Sequence, residues 1–284
     1  MTRPFAVTVG FMKPVAGWPG GKKVAVKICV ALEAWSEGRW PPYAPMAAAW
    51  PLPGTECPHS VSWAEYGATT GVWRLLDVLD RYEMPATFGV SGLLAEQHPE
   101  PVLAAHAAGH EIAAHSYAQD VLPGQLDVAA ERANLLRCTD LLRQLTGTRP
   151  TGWFSPRAAP SRNTPDLLAE AGYRWSGDRS DRDLPYVTTT SAGPLAHLMH
   201  SDFTDVRGAA AGPRAYRDTH VDLLEHLLDQ PAPGVLSLTV HAHVGGRPLF
   251  ASQFEKLLQQ IASVRDDVWI ATHQQLADHV LEAA

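Results

Sequence analysis

Cysteine is scarce: Cys29, Cys57 and Cys138 are the only three in 284 residues. They are widely spaced, odd in number and form no CxxC pair, which excludes a disulfide framework and a Cys-type zinc site. No apolar run approaches the roughly 20 residues that a membrane-crossing helix needs. The first residues, MTRPFAVTVGFMKP, carry no apolar core ahead of a small-residue cleavage site, so a cytoplasmic location is expected. Basic residues form no block: 23 Lys and Arg stand against 30 Asp and Glu, for a net charge of −7. Nothing there favours nucleic acid or a membrane as partner, and a small-molecule substrate is expected instead.

What is present reads as globular. Hydrophobic residues make up 45% and charged residues 19%, enough for a sizeable core in one domain over residues 1–284. Tryptophan is plentiful, at nine. Trp40 and Trp50 lie with Tyr43 in residues 36–60, a Pro- and Trp-rich stretch expected to fold as an ordered loop covering a pocket, because a linker would not carry such bulk.

Buried strands alternate with amphipathic helices along the chain. KKVAVKICVAL (22–32), PATFGVSG (85–92), EIAAHS (111–116), TGWFSP (151–156), GVLSLTVHAH (234–243) and VWIAT (268–272) read as strands. Residues 69–83, 99–110, 126–147, 221–230, 252–263 and 274–283 read as helices, and 164–175 as a helix and the start of another strand, with Thr and Gly as caps. That alternation predicts a parallel α/β fold. Glu33, His115 and His241 each fall at the C-terminal end of a predicted strand. In α/β barrels that rim gathers catalytic groups.

Each residue also has a plainer reading. Glu33 could be a solvated strand end, although a carboxylate closing a buried strand is costly unless paired. His115 could be a satisfied core histidine. His241 and His243 share one face of their strand, so one can face a pocket while the other orients it or only packs. Arg157 could bind a carbonyl or an anion through its fork of donors, or be an ordinary loop arginine. Tyr117, Asp120, Trp153 and Tyr186 are candidate pocket walls, and Arg247 a candidate contact after its Gly-Gly turn. Asp178, Asp181 and Asp183 read as solvated charges, and His273 and His279 as surface.

The order of blocks resembles the polysaccharide deacetylase, or NodB-homology, superfamily of carbohydrate esterases. The matching pieces are VKICVALEAWSEG, SWAEYGATTGVWRLLDVLDRYEMPATFGVSG, GHEIAAHSY, GWFSPRAAPSRNTPDLLAEAGYRWSGDRSDRDLPY and LTVHAHVGGRPLF. They look most like its intracellular branch of cofactor-independent allantoinases and cyclic imide hydrolases. The resemblance implies a distorted (β/α) barrel, with His241 catalytic and a homo-oligomeric assembly.

The chain departs from the family's metal site. Where deacetylases carry two adjacent aspartates, it has Glu33-Ala34. Where they carry a second histidine four residues after the first, it has Gln119. Zinc wants three or four N, O or S ligands, and Glu33 with His115 supplies two. The expectation is therefore a metal-free amidohydrolase acting on a small cyclic amide, imide or ureide, with no cofactor. One alternative is a deacetylase with a zinc-type ion at Glu33 and His115, completed by Asp120. Another is a catalytically silent binding protein.

Overall fold

The computed structural model describes residues 17–51, 53–201, 203–208 and 211–284. The N-terminal stretch read for a targeting signal lies outside the described residues. Among those residues, no helix is long and apolar enough to cross a membrane.

Among the described residues, nine strands form one curled sheet: β1 Val24–Leu32, β2 Thr87–Val90, β3 Glu111–Ala114, β4 Gly152–Trp153, β5 Trp175–Ser176, β6 Tyr186–Thr190, β7 Gly193–His197, β8 Gly234–His241 and β9 Val268–Ala271. Their order is β6-β7-β5-β4-β3-β2-β1-β8, and β9 also pairs with β1. Every pairing is parallel except the β6–β7 hairpin. β1 is the hub. One edge pairs with β8 along its length, while the other is shared between β9, at Val24–Lys27, and β2, at Cys29–Leu32. With neighbours on both edges and both faces covered, all nine of its residues are buried, which is why it reads as an apolar run broken only by Lys27.

Side chains alternate across a strand, and this sorts β1 into two sets. Val24, Val26, Ile28, Val30 and Leu32 join the larger core, beneath the outer helices such as Val72–Arg81, Val128–Thr146 and Pro248–Ser263. Ala25 and Cys29 join a second core inside the curl with Phe154, Trp175 and Leu198. The C-terminal helix, His273–Ala283, closes that side by setting Leu276 and Ala277 into the same core. The result is an incomplete (β/α) barrel.

Lys27 belongs to the inner set. Its Nζ donates to Ser237 Oγ at 2.7 Å and lies 3.2 Å from His273 Nε2. His273 Nδ1 meets Thr87 Oγ1, which in turn donates to Glu111 Oε2 at 2.7 Å. This paired polar layer is buried. It corrects the expectation that His273 lies at the surface: the ring is the inner anchor of the closing helix.

Two stretches differ from the periodicity reading. The helix expected from residue 69 begins as Pro58–Tyr66 and runs through a π-helical turn, Gly67–Gly71, into Val72–Arg81. Thr69 is no cap, since its hydroxyl donates back to the Glu65 carbonyl. Residues 176–220, largely unread, hold the β6–β7 hairpin, a short helix at Asp205–Gly208 and the start of the helix Pro213–Asp229. By contrast, Val128–Thr146 starts and stops as its sequence says, with the Asp127 carboxylate accepting from Ala130 N–H and Gly147 left-handed at φ 74°.

Candidate active site

The inner row of β1 runs Ala25, Lys27, Cys29, Ala31 and on to Glu33. The inner row of β8 runs Val235, Ser237, Thr239, His241. Register places Cys29 beside Thr239 and Ala31 beside His241. His115 follows β3 by one residue, and Phe154 follows β4. These ends open into a cavity of about 660 Å³, lined among others by Glu33, His115, His241, Phe154 and Asp178. That size suits a small molecule. The structure thus brings together the three residues expected at the rim.

Glu33 and His115 form one unit. His115 Nδ1–H donates to the Phe154 carbonyl at 2.9 Å, which turns Nε2 toward Glu33 Oε1 at 3.2 Å. Glu33 Oε2 is buried and accepts no hydrogen bond. Its nearest imidazole atom is His243 Nδ1, at 3.8 Å, beyond hydrogen-bond range. Burial pushes the Glu33 carboxyl up. The positive charge of His241, then the His115 bond and charge, then His243, outweigh it and hold the group down to about 2. An ionised, buried, unpartnered oxygen is costly in structure.

His241 is held by Asp205. The ring Nδ1–H donates to Oδ1 at 2.6 Å and the backbone N–H to Oδ2 at 2.7 Å. Burial lowers the imidazole, but the charges of Asp205 and Glu33 and the hydrogen bond raise it to about 9. His241 is therefore an imidazolium at neutral pH, with Nδ1 occupied and Nε2 free for the cavity. His243 has the opposite state. It is buried behind Glu33 among Trp35, Tyr43 and Trp63, with Nε2 at 3.1 Å from Tyr43 Oη. Burial lowers it to about 4, so it is a neutral packing partner, not a proton donor.

The backbone around these groups is constrained. Ser116, directly after His115, is left-handed at φ 62°. Its hydroxyl is fixed by Asn134 and the Val121 carbonyl. Arg157 and Ala158 are consecutive left-handed residues, at φ 57° and 50°. Such conformations concentrate at functional sites. They bring Arg157 to the cavity wall, where it has no ion pair among the described residues.

Other expected wall residues lie elsewhere. Tyr117 is drawn outward by Glu96, 2.7 Å from its hydroxyl, and by Arg137 over its ring. Trp153 faces the outer core, because β4 turns its alternate residue, Phe154, inward. Tyr186 lies in the edge strand, bonded to Asp181 and against His197. Arg247 braces the loop after β8 by donating to the His243 and Trp63 carbonyls. Asp120 lines the cavity, but its Oδ1 accepts from Ser36 N–H. Asp178 is not a solvated charge: it accepts from both the backbone and the hydroxyl of Ser155, and burial raises its carboxyl.

The family's metal position can be tested on these donors. Gln119 takes the place of the second histidine, yet its Nε2 donates to Ser91 Oγ and to the His115 carbonyl, both at 3.1 Å. Ala34 has no ligand, and Asp120 is tied to the covering loop. Among the described residues, no three His, Cys, Asp or Glu side chains converge as a metal cage. The donors do not fit a zinc-type ion.

Asp205 and His200 were not found from the sequence. Both lie in the 176–220 region, where no period of 2 or 3.6 marks a strand or helix end. Arg39, Trp40 and Tyr43 of residues 36–60, and Trp35 just before them, line the cavity.

Residues 58–176 match the family described as polysaccharide deacetylase. The chain is 30% identical to a probable polysaccharide deacetylase structure from Pseudomonas aeruginosa PAO1, with 98% of this chain and 97% of that one covered and a TM-score of 0.85. It is 27% identical to the structure of Puue allantoinase, with the same coverage and TM-score. It is 23% identical over 265 residues to a peptidoglycan deacetylase of Helicobacter pylori, covering 81% of this chain and 90% of that protein. The chain belongs to the polysaccharide deacetylase family, with its NodB-homology fold.

Proposed function

We propose that the protein is an amidohydrolase that opens a C–N bond in a small cyclic amide, imide or ureide without a metal ion. The observation that carries this reading is the opposed pair lining one cavity: the Glu33 carboxylate and the Asp205-held imidazolium of His241. A base and an acid with affinities pushed apart by their surroundings are what hydrolysis of a C–N bond requires.

In this scheme the Glu33 carboxylate takes a proton from water as the water oxygen bonds to the substrate carbonyl carbon. The carbonyl electron pair moves to oxygen. It returns as the C–N bond breaks, and the nitrogen takes the His241 Nε2 proton. Glu33 ends protonated and His241 neutral, and proton exchange with solvent resets both. Each acid-base group contributes about 10²–10⁴ in rate. Without a Lewis acid the scheme favours strained or activated rings. The likeness to an allantoinase supports a ring-opening substrate; the likeness to deacetylases supports acyl C–N cleavage in general.

The proposal includes a homo-oligomer and a cytoplasmic setting, the former measurable by light scattering. The decisive assay offers hydantoin, succinimide and N-acetylglucosamine to purified protein, with and without chelator. Turnover of the rings in both conditions is expected. Turnover of the acetamide alone, lost on chelation and recovered with zinc, would replace this reading with a deacetylase.

A further inference from the structure

His200 extends the inner row of β7 beyond its end: Ala196, Leu198, then His200. Its backbone N–H reaches the Arg179 carbonyl at 3.3 Å. Its ring meets Phe154 edge-on at 5.9 Å, and it lines the same cavity as Glu33, His115 and His241. The scheme above gives it no task.

Its two ring nitrogens differ. Nδ1 is buried and has no partner. A proton there would be a buried, unpaired donor, costlier than a buried lone pair, because a carbonyl or nitrogen acceptor tolerates loss of its partner better than an N–H does. The proton therefore belongs on Nε2. That atom is not among the buried unpartnered ones and makes no hydrogen bond among the described residues, so it opens to the cavity.

We infer that His200 is a further catalytic residue, a neutral imidazole whose Nε2–H binds the substrate carbonyl oxygen as it becomes an oxyanion. The inference rests on the hydrolase reading. The charged groups acting on His200 are Lys27, His241, His115 and Arg207, all cationic or able to become so; after burial itself, these hold the ring down to about 3. A group with that setting is of no use as acid or base near neutrality. It is suited to donate a fixed hydrogen bond, and donors aimed at developing negative charge are among the largest contributions to rate. No proton moves through it. The Gln119 amide is already committed to Ser91 and the His115 carbonyl and is not free to supply that bond.

The test has two arms. In ¹⁵N spectra of histidine-labelled protein, with His200→Gln identifying the signal, His200 is expected neutral and Nε2-protonated from pH 5 to 8, and its Nε2–H is expected to move downfield with hydantoin. A charged ring, an Nδ1–H tautomer or a signal indifferent to bound hydantoin overturns the inference. In kinetics with hydantoin and succinimide, His200→Leu is expected to lose about 10²–10³ in kcat with KM changed less. His200→Gln, which keeps a donor, is expected within about tenfold of wild type, with both variants melting alike. Equal losses in the two variants overturn it. If wild-type protein hydrolyses neither ring, the hydrolase reading fails, while the spectra still decide the tautomer and the contact.

Discussion

Asp205 grips His241 twice, Oδ1 on the ring Nδ1–H and Oδ2 on the backbone N–H. One buried carboxylate thereby fixes the ring's orientation, its tautomer and its charge. Asp205→Asn is expected to lower kcat by about 10²–10⁴. Wild-type activity should fall as pH rises through about 9, where His241 loses its proton. In the variant that alkaline limb should move down. An unchanged limb in the pH–rate profile would show that His241 is not the acid.

Glu33→Gln and His241→Ala are both expected to abolish turnover, but with unequal effects on stability. Glutamine keeps the shape of Glu33, so its melting temperature should change by only a few degrees. Removing the imidazole strands the fully buried charge of Asp205, and a broken buried pair costs about 3–5 kcal/mol. Calorimetry should show the larger loss for His241→Ala and recovery of most of it in the double variant with Asp205→Asn.

Stability should also follow pH through these groups. His241 is raised above its ordinary 6.5, so its contribution is full below that value and is lost as pH rises through about 9. Glu33 is depressed below its ordinary 4.5, so its contribution is present above that value and is lost as pH falls through about 2. Denaturant titrations at pH 7 and pH 9.5 should therefore differ for wild type, and differ less for the Asp205→Asn/His241→Ala protein.

Exhaustive chelation is expected to leave hydantoin turnover unchanged, because Gln119 and Ala34 stand where further ligands would be needed. Metal content by mass spectrometry, read beside activity before and after zinc is returned, checks this. Stoichiometric metal with activity that depends on it would promote the deacetylase reading.

Gly71→Ala is expected to cost both stability and activity. A Cβ there would lie 2.0 Å from the Ala242 carbonyl oxygen. The π-helical turn and the segment just after His241 must then part, carrying His243 away from Glu33. A melting temperature several degrees lower, with reduced kcat, is the expected result; unchanged values would mean that this close approach does not position the site.

The sequence by itself determined the strands with two buried faces, since β1 is apolar at every position but Lys27, and it determined which of their ends carry Glu33, His115 and His241. Alternation did the rest: once β1 faces a core, Cys29 and Glu33 must share its inner side. It also determined that Gln119 and Ala34 cannot complete a metal cage. Only the tertiary structure decided what surrounds those residues. Asp205 comes from a four-residue helix with no period to read, and His200 from beyond a short hairpin strand. Trp153 and Phe154 are neighbours in sequence, yet the pleat sends one outward and the other to the cavity. The choice between His241 as imidazolium and His243 as neutral ring rests on contacts 36 residues away in Asp205 and on burial behind Glu33. Those are distances in space that no local pattern encodes, because electrostatic neighbours are set by how strands pair and not by how residues follow one another.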